Sequence, residues 1–261
     1  MENQVVEYRA EPKSTKPPIL FVHGLMHGAW CWEEHFLPFF ASQGYDAYGL
    51  NLRGHNPSDP HKKRMRYSLG NYVEDIAAAA KQFDQPPIIV GHSMGGFLVQ
   101  LYLQKKHPAL KAVLIASVPP SGIWGASLRA AKAHPLRFLA VSLTWSFFPL
   151  FHSGKAFQDF FLSSRLDLKE AEAYFEKTHN ESYPAYVQML GLVRPKKRSL
   201  EVPMLVIGGG EDRAISVKNV ENTAKFYGQE AVIYRQVAHD MMLDPDWQEV
   251  AQGILTWIEE T

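Results

Sequence analysis

Ile88-Ile89-Val90-Gly91-His92-Ser93-Met94-Gly95-Gly96 is the stretch whose reading decides the fold. Its first three residues, apolar and β-branched, read as a short buried strand. Phe97-Leu98-Val99-Gln100-Leu101-Tyr102-Leu103 after it, apolar and free of breakers, reads as a buried helix. A strand that becomes a helix within about one turn forces Ser93 into a strained backbone, at a cost of about 1–3 kcal/mol. Gly91 and Gly95, two residues to either side, remove the Cβ atoms that would collide where strand and helix close on each other. The Ser93 hydroxyl is thereby expected to stand out at the end of a sheet.

Outward from this point the same rhythm continues. Apolar runs at 19–22, 45–50, 112–116, 204–207 and 231–234 read as strands, with an edge strand at 4–10, and helical patterns fill 35–43, 69–83, 96–106, 217–227 and 247–259. Buried strands alternating with helices predict an α/β fold: a mostly parallel central sheet with helices on both faces. Ligands of such sheets sit at the carboxyl ends of the strands.

Between 118 and 202 the rhythm breaks. Only helical stretches appear there, at 126–133, 136–143, 155–162, 168–178 and 183–192. This predicts a helical cap, 118–202, inserted into a core made of 1–117 and 203–261. The apolar run 138–151 is shorter than the ~20 residues that span a bilayer, so it reads as cap lining and no stable membrane insertion is expected. Trp124, Trp145, Phe147 and Phe148 are the candidate substrate-binding side chains, with internal packing of the cap as the competing role.

Twenty-seven Lys and Arg balance 27 Asp and Glu in a chain of 261 residues, which argues against nucleic acid or an anionic membrane as the main partner. A small-molecule substrate fits better. Arg194-Pro195-Lys196-Lys197-Arg198 reads as a solvated loop. The single cysteine, Cys31, excludes an intramolecular disulfide and a Cys-rich metal site. The polar, acidic start of the chain lacks the features of a signal peptide, so a cytoplasmic location is expected. Nor is there a glycine loop with a lysine to cradle phosphate, or His/Asp spacing for a metal, so no cofactor and no metal are expected.

A serine hydroxyl is almost wholly protonated at neutral pH and needs a base to take its proton as it attacks. Of eleven histidines, His239 is selected by position, since it follows the last strand directly in Ala238-His239-Asp240. His92 is expected to point away through the turn and His23 to brace a loop by hydrogen bonding. A carboxylate on the second imidazole nitrogen would fix the tautomer. Glu211 and Asp212, in the loop Gly208-Gly209-Gly210-Glu211-Asp212 after a strand, both qualify, with Asp240 and Asp244 as weaker alternatives. The oxyanion needs two backbone N–H donors, each worth about 10²–10³ in rate. Met94, at the helix start, supplies one, and Leu25, in the loop after His23-Gly24, is the expected second.

These motifs, in this order, resemble the α/β-hydrolase fold superfamily over nearly the whole chain: His23-Gly24, Arg53-Gly54-His55, Gly91-His92-Ser93-Met94-Gly95-Gly96, Gly210-Glu211-Asp212-Arg213 and Ala238-His239-Asp240. The resemblance favours Asp212 over Glu211. The loop from His23 to Trp30 is similar to that of the plant methylesterase and hydroxynitrile lyase group. Asn56 stands where the family loop has its final glycine, a change asparagine absorbs through its tolerance of left-handed backbone. The resemblance implies a serine esterase that cleaves a small to medium, largely apolar carboxylic ester through an acyl-enzyme on Ser93, with His239 and Asp212. Lactonase, lysophospholipase and acyltransferase activities share that machinery, and a ligand-binding receptor with little turnover is the alternative of another class.

Overall fold

The computed structural model describes residues 5–56, 66–196 and 201–261. Its strands are β1 (Val5–Tyr8), β2 (Ile19–Val22), β3 (Ala47–Leu50), β4 (Ile88–His92), β5 (Lys111–Ile115), β6 (Met204–Gly209) and β7 (Ala231–Tyr234). They form one sheet in the order β1-β3-β2-β4-β5-β6-β7, and all pairs are parallel except β1 with β3. The order reverses on either side of β2. A crevice therefore opens at the carboxyl ends of β2 and β4, where two successive crossovers leave in opposite directions.

Period-2 side-chain alternation divides the core into two layers. Ile19, Phe21, Ile88, Val90, Val113 and Ile115 face one layer with Trp32, Phe36 and Ile254, whereas Leu20, Val22, Ile89, Ala112 and Leu114 face the other with Phe97, Leu98 and Tyr72. Both faces being covered, the inner strands are apolar except at strand ends such as His92 and Lys111.

Helices α1 (Trp30–Glu33), α2 (Phe36–Ser42), α3 (Leu69–Ala80) and α4 (Met94–Gln104) alternate with the early strands. The pattern at 35–43 is the single helix α2, whose N-cap His35, outside helical geometry at φ −139°, separates it from α1. The start of α3 is fixed by a capping box in which Ser68 and Asn71 bond each other's backbone N–H. Helix α4 starts at Met94, two residues before the pattern suggested, since Ser93 is itself its N-cap.

Every element described between β5 and β6 is helical: α5 (Trp124–Ala133), α6 (Pro135–Thr144), α7 (Gly154–Phe161), α8 (Leu168–Glu176), α9 (Tyr183–Val187) and a π turn, Gln188–Leu192, that ends at left-handed Gly191 (φ 114°). This segment bonds back to the core through His179 N–H to Met26 O (2.9 Å) and Asp240 N–H to Phe161 O (2.9 Å). Helices α10 (Val217–Phe226) and α11 (Trp247–Glu260) complete the chain. No helix among the described residues is long and apolar enough to cross a membrane. Of the basic loop, Arg194 and Lys196 are exposed, and Lys197 and Arg198 lie outside the described residues.

Candidate active site

Ser93 sits between β4 and α4 with φ 51° and ψ −114°, a conformation that L side chains rarely adopt. The glycines around it are there for space. A Cβ on Gly95 would lie 2.3 Å from Val22 O and 2.6 Å from His23 O, and one on Gly91 2.6 Å from Gly95 O. Only bare backbone lets helix, strand and the loop after β2 meet.

The other two candidates arrive from the far side of the sheet. Asp212 follows β6, and its Oδ1 accepts the N–H groups of Ala214 and Ile215, both at 2.7 Å. That local turn aims Oδ2 at His239 Nδ1, 2.7 Å away. Glu211, the competing acid, is exposed. Asp244 accepts from Ala238 N–H and Arg165, and Asp240 pairs with His27, so neither takes the imidazole of His239. With Nδ1 held by a carboxylate, Nε2 is the nitrogen left for Ser93. Burial alone would lower the His239 pKa, but the charge and hydrogen bond of Asp212, with Asp240 adding, outweigh it and raise the pKa.

Ser93 and His239 line one apolar cavity of about 90 Å³, together with Leu25 and Met94. Among the described residues no hydrogen bond joins the Ser93 hydroxyl to the imidazole, although both residues line the cavity. Met94 opens α4, where the first N–H groups have no acceptor within the helix. The remaining wall is apolar and comes mainly from the helical segment: Ala126, Ala130, Phe138, Val141, Phe147, Leu150, Phe151, Phe160 and Phe161 among others.

Of the four aromatic side chains singled out in the sequence, only Phe147 reaches this cavity. Trp124 lies on the solvent side of α5 with 61% exposure, Trp145 stacks on Tyr183, and Phe148 packs edge-on to Phe175. Trp145, Phe147 and Phe148 lie beyond the end of α6, in a non-helical stretch opened by left-handed Trp145 (φ 53°), so the backbone of that turn and not a helical period sets which of them faces the cavity.

Two layers of support were not legible in the sequence. Beneath His239, the His92 ring lies 4.7 Å from the His239 ring and donates Nε2–H to the His239 carbonyl at 3.1 Å, while it does not line the cavity that Ser93 lines. Burial, with the neighbouring His239, lowers the His92 pKa to about 3, so the ring is neutral. His23 does brace a loop. Its Nε2 accepts Leu52 N–H at 3.2 Å, which leaves Nδ1 to donate to Gly24 O at 2.8 Å. His92, His239 and Asp240 bring ligand atoms within 4.8 Å of one another, with His239 Nδ1 bonded to Asp212 and His92 Nε2 to the His239 carbonyl.

The second layer holds the loop after β2. Glu181, from the helical segment, is fully buried and accepts from His55 Nε2 (3.0 Å), Tyr72 OH (2.7 Å), Ser182 N–H (2.6 Å) and Met26 N–H (3.4 Å). Burial pushes its pKa up, but His55 and these donors more than reverse that and leave it below the usual carboxylate range. Met26 is left-handed at φ 67°, and its carbonyl is taken by His179. His27 spans from Leu25 O (2.8 Å) to Asp240 (3.0 Å). Leu25 is therefore fixed from both sides. In the neighbouring loop the left-handed residue is Gly54 (φ 83°), so Asn56 is not called on to adopt that backbone.

Residues 19–252 match the family model described as the alpha/beta hydrolase family. The chain belongs to the alpha/beta hydrolase family. Among relatives, it is 24% identical over 257 residues to a monoacylglycerol lipase of Mycolicibacterium smegmatis, covering 92% of this chain and 87% of that protein. A bifunctional esterase/perhydrolase of Acinetobacter calcoaceticus is 34% identical over 111 residues, 40% of this chain and only 38% of the relative's length. A solved esterase from Exiguobacterium antarcticum superposes with a TM-score of 0.74 at 15% identity, over 98% of this chain and 95% of that one, a likeness of fold.

Proposed function

We propose that this alpha/beta hydrolase is a serine esterase that cleaves a small to medium, largely apolar carboxylic ester. The observation that carries the reading is that strained Ser93 and His239, the latter bonded to Asp212, line one apolar cavity together with Leu25 and Met94. Residues 118–202 serve as the cap that walls it. Relatives named esterase and monoacylglycerol lipase support the same class.

In this reaction Ser93 Oγ bonds to the ester carbonyl carbon while its proton passes to His239 Nε2. Asp212 holds the imidazole in that tautomer and stabilises the imidazolium. The oxyanion accepts from the N–H groups of Leu25 and Met94. Collapse breaks the bond to the alkoxy group, which leaves as an alcohol with the His239 proton. Water then attacks the acyl-enzyme, His239 takes its proton, and the second collapse returns that proton to Ser93 and frees the acid.

The test is a p-nitrophenyl ester series from acetate to octanoate with wild type and Ser93→Ala. Turnover that falls by roughly 10⁴-fold or more in the variant is expected. Undiminished turnover in Ser93→Ala ends the proposal. Fluorophosphonate labelling of Ser93 without turnover of any ester would favour the ligand-binding receptor.

A further inference from the structure

We infer that the outer face of α5 and α6 is a docking surface for an anionic lipid bilayer. Most large apolar side chains that are exposed among the described residues fall between Trp124 and Phe148. On α6, Leu136, Leu139 and Leu143 follow one another at three and four residues, share one face, and are 81%, 54% and 75% exposed. Trp124 and Leu128, four apart on α5, are exposed as well. The opposite faces of the same helices, Ala126 and Ala130 on α5 and Phe138 and Val141 on α6, line the cavity that holds Ser93. Both helices are thus apolar on two sides, and among the described residues only one side is covered by protein.

Charge selects the occupant. The neutral total of the chain conceals a segregation: no carboxylate occurs between Asp84 and Asp159, and residues 120–158 carry Arg129, Lys132, Arg137 and Lys155 without an acid, a local net charge of +4. Arg129, Arg137, Lys155 and Arg213 line a second cavity of about 410 Å³, whose single acid, Asp159, already pairs with Lys155 and, at 3.9 Å, Arg213. This cavity shares Ala126, Ala130, Leu150, Phe151 and Phe160 with the apolar one, so the two lie side by side under α5 and α6. Exposed leucines and a tryptophan flanked by arginine and lysine are what a helix lying in the headgroup region of an anionic bilayer requires. A second copy of the chain would set two such cationic faces against each other, which costs association. Surface docking also differs from insertion, since neither helix is long enough to span.

The purified full chain is tested by flotation with phosphatidylcholine vesicles and with the same vesicles containing phosphatidylglycerol. Binding to the anionic vesicles is expected to exceed that to phosphatidylcholine by on the order of a hundredfold, from about three cations near the surface, and to weaken with added salt. Leu136→Ser/Leu139→Ser/Leu143→Ser is expected to lose about tenfold or more of that affinity. Arg129→Gln/Lys132→Gln/Arg137→Gln should erase the anionic preference. Circular dichroism melts establish that both variants are folded, and p-nitrophenyl acetate turnover should stay unchanged. Equal or absent binding to the two vesicles overturns the inference. So does a lipid-free dimer, seen by sedimentation velocity, that the leucine substitutions dissociate. Vesicle binding is read without turnover, so its failure leaves the esterase reading standing, and a failed esterase reading leaves the docking result standing.

Discussion

Ser93 holds φ 51° because its neighbours over-determine it: Ser93 N–H donates to Ile115 O, and Ser93 O accepts from both Phe97 and Val118. That conformation costs a side-chain-bearing residue about 1–3 kcal/mol, whereas glycine adopts it freely and loses only about 0.4–1 kcal/mol through its looser unfolded chain. The strain is the larger of the two. Ser93→Gly is therefore expected to be more stable than Ser93→Ala by about 1 kcal/mol in urea unfolding, with both inactive. At His239 the sign also follows from the neighbours. Its raised pKa places the acid limb of the kcat/KM profile above 6.5, because the base must be unprotonated to act. In Asp212→Asn burial loses its main opponent, so the limb should move to lower pH while turnover falls; a limb that stays in place would contradict the pairing. The same raised pKa means that the pair's contribution to stability is full below 6.5 and is lost as pH rises through the folded value.

At the scale of elements, the loop after β2 is the part most dependent on something distant. A left-handed Met26 in a loop between β2 and α1 is not a conformation that the loop favours by itself, and Glu181 and His179 hold it from the helical segment. Glu181→Gln replaces an acceptor-only carboxylate by a group whose amide N–H must face the Met26, His55 or Tyr72 donors. With Leu25 N–H as the proposed oxyanion donor, the expected result is a fall in kcat of roughly tenfold or more with a smaller change in KM. A KM effect alone would show that Glu181 shapes the cavity and does not position the loop.

For the whole molecule, Glu181 also joins the two halves of the fold, being a buried carboxylate of the helical segment bonded to His55 and Tyr72 of the core. Its pKa is depressed in the folded state, so its contribution to stability is present above its ordinary value of 4.5 and is lost as pH falls through the lower folded value. Wild type should accordingly lose urea resistance below that pH more steeply than Glu181→Gln, which has no carboxylate to protonate. Parallel slopes for the two proteins would place the acid sensitivity elsewhere. The charge pattern belongs to this scale too, because the neutral total conceals a helical segment that is cationic and carries exposed leucines.

The sequence by itself determined the sheet and the strand-to-helix turn at Ser93, because both rest on local rules. Runs such as 19–22 and 88–90 are apolar at every position only where both faces of a strand are buried, and Gly91 and Gly95 mark close backbone approach whatever lies beyond. It also located Asp212 and His239 after strands, which sheet topology turns into a place. Only the tertiary structure decided which side chains of the helical segment face the cavity, leaving Phe147 inside and Trp124, Trp145 and Phe148 out. It alone set Glu181 and His92 behind the site. These depend on how helices far apart in the chain rotate and pack against the sheet, and no local spacing encodes the partner that a buried carboxylate or imidazole will meet.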